Sequence, residues 1–212
     1  MLTRILHALV QRPLVYDAAM IAVGARHVER VLKQNVATLG LSGSVIDVGG
    51  GTGMWKSLFP ADCRHICFDV DPLKLRGFLA KDSHGAAVLA DATALPLADA
   101  SVDTVICAFI AHHLRDEQYR QMVDEAWRVL RDGGVFILAD PLWVPQRLPG
   151  RLLWRYDQGR HPRTLQTHRD AVLRCFEFQT EQRFAVVHAY VLLIARKRAA
   201  APHDTAQPLR GV

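Results

Sequence analysis

The chain has 212 residues, half of them apolar, and its 26 Lys and Arg against 21 Asp and Glu leave a net charge of +5. This length and composition suit one globular domain with appendages and exclude a disordered or fibrous chain. No apolar run reaches the roughly 18 to 20 residues that span a bilayer. The apolar start at 1–10 is cut short by Gln11, Arg12 and Pro13, with no small-residue cleavage site after it, so a cytoplasmic protein without a membrane span is expected.

In chain order, Leu14 to Leu39 has helical spacing and Gly40 is placed to end that helix, so residues 1–40 read as a helical lead or cap. Ser44 to Val48 reads as a first strand and Met54 to Leu58 as a short helix. His65 to Val70 is a second strand, and Pro72 suits the first turn of a helix through Leu79. Third and fourth strands are expected at Ala86 to Ala90 and Val102 to Cys107. Asp116 to Leu130 is an amphipathic helix with Tyr119, Met122, Val123 and Ala126 inward. After a turn at Arg131 to Gly134 comes a fifth strand, Val135 to Ala139. Residues 141–163, rich in Pro, Gly, Arg and Trp, read as an irregular segment long enough to be functional. A helix from Gln166 to Phe176 and two strands, Phe178 to Phe184 and Val187 to Ala195, complete the domain, and 199–212 reads as a disordered tail. Strands alternating with helices imply an α/β, doubly wound, mainly parallel sheet covered on both faces.

Cys63, Cys67, Cys107 and Cys175 fall in core elements and read as reduced thiols rather than a disulfide framework. Alternation along one strand already places Cys63, His65 and Cys67 together, and no second ligand pair accompanies them, so no metal site is expected. Much of the excess positive charge lies after residue 145, in separated arginines from Arg147 to Arg174. A solvated face or an acidic small substrate accounts for that spacing as well as an anionic polymer does.

The chemistry concentrates in Val45-Ile46-Asp47-Val48-Gly49-Gly50-Gly51-Thr52-Gly53, an apolar strand entering a turn whose missing Cβ atoms let a ligand approach the backbone. A dinucleotide fingerprint, G-x-G-x-x-G from Gly49, needs glycine where Met54 stands. Asp47 suits a cationic ligand better than a pyrophosphate. Asp69 follows Gly49 by twenty residues at a strand end, where a carboxylate can accept both ribose hydroxyls, whereas Asp71 before Pro72 reads as a helix cap. The third strand ends in Ala90-Asp91-Ala92-Thr93, and the fourth runs into Cys107-Ala108-Phe109-Ile110-Ala111-His112-His113.

Taken in this order, the motifs resemble class I S-adenosylmethionine-dependent methyltransferases of the small-molecule, type-11-like kind. The resemblance covers Val45 to Arg198. It implies a Rossmann-like, doubly wound seven-stranded sheet with an antiparallel last strand, in a methyltransferase domain over 41–198 with a substrate-cover insertion at 141–175. It implies that Asp47, Gly49, Gly50, Gly51 and Gly53 pass under the methionyl part of S-adenosylmethionine, with S-adenosylhomocysteine as product. Asp69 would take the ribose, Val70 would lie on the adenine, and Asp91 with the Ala92 amide would reach the ring. Cys107 and Ala108 would line the methionine moiety, and Tyr16 would close over the cofactor.

For catalysis, His112 and His113 are the nearest candidates for a general base, and adjacent positions point differently, so at most one faces the acceptor. Trp154 and Arg160 in the cover offer a flat face and a forked donor. Trp143, beside Asp140 at the end of the fifth strand, and His188 in the last hairpin are placed to join them. The chain has neither the Asp or Asn-Pro-Pro-aromatic motif nor the Pro-Cys pair that base-methylating relatives carry. A small-molecule acceptor, no nucleic acid, and a monomer or homodimer are therefore expected. A second reading with the same fold is a partner or sensor protein that binds the cofactor or its product without catalysis.

Overall fold

The computed structural model describes residues 25–156 and 159–198. Tyr16, residues 1–24 of the lead and the tail at 199–212 lie outside the described residues. Helix α1 (Ala25–Val36) and a 3-10 turn, Ala37–Leu39, lead into β1 (Ser44–Val48). Then follow β2 (Arg64–Asp69), α2 (Pro72–Lys81), β3 (Ala86–Leu89), β4 (Val102–Ala108), α3 (Asp116–Val129), β5 (Leu130–Leu142), α4 (Leu148–Tyr156), α5 (Leu165–Leu173), β6 (Phe176–Ala185) and β7 (Ala189–Lys197).

The strands form one seven-stranded sheet in the order β3-β2-β1-β4-β5-β7-β6. Pairing is parallel from β3 through β5, and β7 runs antiparallel to both β5 and β6. The chain reverses its direction of winding on either side of β1 and β4, the switch point where open α/β sheets leave a crevice.

Alternation along the strands divides the core in two. Ile46, Val48, Val105, Cys107, Phe136 and Leu138 face α3 and α5, where Tyr119, Met122, Val123, Ala126 and Val172 are buried against them. Val45, Ile106, Ala108, Ile137 and Ala139 face α1, meeting Val28, Leu32 and Val36. The two β-branched, doubly covered central strands are therefore rigid, and the residues at their carboxyl ends inherit that rigidity.

Four local expectations are corrected. Residues 141–163 are not irregular throughout, because α4 occupies Leu148–Tyr156. Pro149 is tolerated in a first helical turn, and buried Gly150 fits beside the Val187 carbonyl. Helix α5 ends at Leu173, and Phe176, expected in that helix, starts β6 with its ring stacked on Phe136. Arg131 to Gly134 belong to β5, which slips register against β4 between Val102 and Thr104, with Gly133 at φ 73°. Met54 to Leu58 form turns and one 3-10 turn, Lys56–Leu58, rather than an α-helix.

Gly53 closes the glycine turn at φ 73°, and a Cβ there would stand 2.3 Å from the buried Phe78 ring on α2. Gly53→Val therefore combines a left-handed backbone with overpacking, and should lower stability by about 3 kcal/mol in denaturant unfolding.

Candidate active site

A cleft of about 420 Å³ opens beyond the carboxyl ends of β1, β2, β3 and β4. That volume is in the usual range of small-molecule sites. Its floor is the turn after β1. The amides of Gly49 and Gly50 both donate to Phe68 O, at 2.8 and 3.1 Å, which stitches the turn to β2. Gly49 has φ 71°, and a Cβ on it would lie 2.6 Å from the Ile110 side chain. Gly51 has φ 57°, and a Cβ there would meet nothing closer than 3.6 Å. It would project into the cleft itself, so the bare backbone at Gly51 is space kept for a ligand.

Asp69, at the end of β2, is nearly buried. Its Oδ2 accepts from the Gly51 amide at 2.9 Å and its Oδ1 from the Asp71 amide at 2.8 Å. Each oxygen keeps a further lone pair. Asp71 caps α2, accepting from the amides of Leu73 and Lys74. Across the mouth, Asp91 Oδ1 is held by the Thr93 amide and hydroxyl, both at 2.8 Å, and Ala92 and the exposed Val70 complete that end of the lining.

The residues assigned to the cofactor divide into two layers. Gly49, Gly50, Gly51, Asp69, Val70, Asp91, Ala92 and Ala108 line the cleft, while Asp47, Gly53 and Cys107 lie beneath it. Asp47 is wholly buried under Gly50, whose Cβ would come within 2.7 Å of its carboxyl, and its Oδ2 is 3.3 Å from His65 Nε2. It supports the turn and does not line the ligand space. Burial pushes the Cys67 and Cys107 thiols above their ordinary range, with help from Asp47, so both stay protonated. Among the described residues, no group of three or more His, Cys, Asp or Glu is arranged to hold a metal ion.

Sequence reasoning missed several lining residues, among them Lys74 and Gln118 in the first turns of α2 and α3, and Trp55, which packs beside Phe109 of the run after β4. Phe109 stands at φ 61°, a strained position for a residue with a side chain, and its ring stacks on Trp55 with centroids 4.9 Å apart. No local pattern in the sequence marks that conformation.

The 3-10 turn Ala111–His113 separates the two histidines. His113 lines the cleft. His112 is buried behind it, with rings 4.2 Å apart and Nδ1 2.9 Å from Asp140 Oδ1. Trp154 meets His112 and His188 edge to face at 5.7 and 5.1 Å. Trp143 donates its amide to Arg163 O at 2.7 Å, and Arg160 is exposed. None of Trp143, Trp154, Arg160 and His188 lines the cleft; the structure gathers Trp154 and His188 in the wall behind His112.

Arg163, one of the scattered arginines, is buried. It donates to Ala111 O, to Leu114 O at 2.7 Å and to Asp116 Oδ1 at 2.8 Å, and its guanidinium lies over the Tyr119 ring. It clamps both ends of the histidine turn.

Tyr119 and His168 are joined at 2.9 Å in the same interior, and burial lowers the His168 pKa to about 4. Unfolded, that imidazole titrates near 6.5, so between pH 6.5 and 4 the unfolded chain binds the extra proton. Stability should accordingly fall as pH drops through this window, by on the order of 3 kcal/mol in total from this group. Denaturant unfolding of His168→Gln at pH 7 and pH 4.5 checks it: the variant should lose less between the two than the parent.

Strand order, glycine turn and acidic strand ends together define a Rossmann-like α/β fold of the methyltransferase type. Residues 46–138 match the family described as a methyltransferase domain. An uncharacterized methyltransferase of Mycolicibacterium vanbaalenii is 36% identical over 104 residues, which are 48% of this chain and 40% of the relative. The chain thus matches well under two thirds of that relative's length. BH2331 of Bacillus halodurans C-125, a candidate methyltransferase, superposes with a TM-score of 0.70 at 19% identity, over 81% of this chain and 99% of that one. A chain of the Haloferax volcanii complex between the Trm112 methyltransferase activator and a candidate methyltransferase gives 0.72 at 17%, over 87% and 96%. Such identities speak to the fold alone. Among the described residues, no helix is long and apolar enough to cross a membrane.

Proposed function

We propose that this protein transfers a methyl group from S-adenosylmethionine to a small-molecule acceptor and releases S-adenosylhomocysteine. The observation that carries the reading is a single cleft in which bare Gly51 backbone and the Asp69 carboxylate stand at one part of the wall and His113 at another. The donor set fits the group: Asp69 has lone pairs for ribose hydroxyls, Asp91 and the Ala92 amide offer an acceptor and a donor to an adenine edge, and no Cβ fills the floor at Gly51.

Bound there, the cofactor supplies an activated methyl, whose carbon–sulfur electron pair returns to sulfur on transfer. The chain's own part is alignment and proton removal. Holding two reactants in line accounts for much of such a displacement, and the rigid ends of β1 and β4 provide it. His113 takes the proton of an acceptor hydroxyl, amine or acidic carbon and passes it to solvent.

Calorimetric titration with S-adenosylmethionine, S-adenosylhomocysteine and NAD tests the reading. The first two should bind and NAD should not. Tight NAD binding without S-adenosylmethionine binding overturns it. Binding of the product nucleoside with no turnover across hydroxyl, amine and acidic-carbon acceptors would instead support a non-catalytic sensor.

A further inference from the structure

Behind the cleft histidine lies a buried polar cluster drawn from four elements. Asp140, on β5, is wholly buried; its Oδ1 holds His112 Nδ1 at 2.9 Å, and its Oδ2 lies 3.9 Å from His168 Nε2 on α5. Tyr119 Oη on α3 is 2.9 Å from His168 Nδ1. A hydroxyl donating to Nδ1 leaves the His168 proton on Nε2, facing Asp140. His112 likewise presents Nδ1–H to the carboxylate. Asp140 Oδ2 has no hydrogen-bond partner among the described residues.

The charges around this turn can be taken one by one. Burial keeps His168 neutral near pH 7 and holds the Tyr119 hydroxyl and the Cys107 thiol protonated. His188 meets the Trp154 ring, which in turn meets His112. Arg163 is the buried cation, and it is turned to Ala111 O, Leu114 O and Asp116. Among the described residues, Asp140 is therefore a buried acid beneath the histidine pair that favours an arriving proton, in an interior where such an interaction is little screened.

The geometry also transmits position. The His112 backbone is tied by its carbonyl, which accepts from the His161 amide at 3.0 Å, and its ring packs so closely on Gly159 that a Cβ there would fall 2.0 Å from Cδ2. The His113 ring rests against the ring so held.

We propose that Asp140 is a positioning residue of methyl transfer: through His112 it fixes His113 in the cleft and makes the pair receptive to the acceptor's proton. The proposal rests on the reading of His113 as the cleft base, and it assigns the acceptor to compounds that must lose a proton during transfer. In that step the acceptor's X–H bond breaks, its electron pair remains on X, which bonds the incoming carbon, and the proton goes to an imidazole nitrogen of His113.

The test uses the full chain with ¹³C- and ¹⁵N-labelled histidine, saturated with S-adenosylhomocysteine, and follows the imidazole resonances against pH. The parent should show His112 as the Nδ1–H tautomer, and Asp140→Asn should lower the His113 midpoint by about one pH unit or more, since a favourable negative charge is removed. An unmoved His113 midpoint in a folded Asp140→Asn variant overturns the proposal. So does an Nε2–H tautomer of His112 in the parent, a measurement that needs no variant and decides the matter if Asp140→Asn does not fold. With a working acceptor, Asp140→Asn should lower kcat about tenfold or more while the product nucleoside's Kd stays within about threefold. Equal losses in both would mark a merely structural role and refute it. Failure of S-adenosylhomocysteine to bind the parent instead removes the cofactor reading, and the titration is then read on the free protein.

Discussion

Asp69→Ala will weaken S-adenosylmethionine binding by roughly 1.5 to 3 kcal/mol, about ten- to a hundredfold, the scale of hydrogen bonds to a charged acceptor. The carboxylate acts twice. One lone pair on each oxygen already holds a backbone amide, Gly51 on one side and Asp71 on the other. The remaining ones face the cleft that it lines. Alanine would remove the proposed ribose acceptor and also free the glycine turn, so both direct binding and the shape of the floor should be lost. Asn at this position keeps one acceptor oxygen and should fall between the two. Asp91→Ala should cost less, because Asp91 is exposed and its bonds to Thr93 are local to its own turn. Calorimetry on the three variants gives the order directly. An Asp69→Ala affinity within twofold of the parent would show that the ribose is held elsewhere.

How much of this was legible beforehand depended on the range of the interaction. The strands announced themselves as apolar runs, and the glycine turn announced itself because backbone at φ 57° to 73° selects glycine in the sequence. The helix cap at Asp71 was local and visible for the same reason. Helix α4 was hidden because Pro149-Gly150, read as breakers, are accommodated by a first turn and by tight packing. The layering of the site was hidden too. Asp47 and Cys107 belong to the motifs, but only the pleat of the sheet decides that they lie under the floor. Arg163 looked like one more surface charge, and its burial depends on carbonyls about fifty residues away. The His112, Asp140, His168 and Tyr119 cluster joins four elements in the same way.

His113→Ala should lower methyl transfer by about a hundredfold or more, the usual contribution of a positioned base, while leaving the Kd of S-adenosylhomocysteine nearly unchanged. The separation follows from where the side chain stands. His113 is on the 3-10 turn after β4, whereas the glycine floor and Asp69 belong to β1 and β2. Truncation there leaves the hydrogen bonds of the floor intact. His112→Ala is the informative contrast. That ring is buried between Asp140, Trp154 and Gly159, so its removal leaves a cavity and a carboxylate without its hydrogen bond. The variant should therefore unfold more readily as well as turn over more slowly. A pH profile separates the two effects. The parent's rate should fall on the acid side as the base is protonated, and His113→Ala should lose that limb at a uniformly low rate. If His113→Ala instead retained full activity across pH, the acceptor would be a nucleophile that sheds its proton without help, and alignment by the sheet would account for the catalysis.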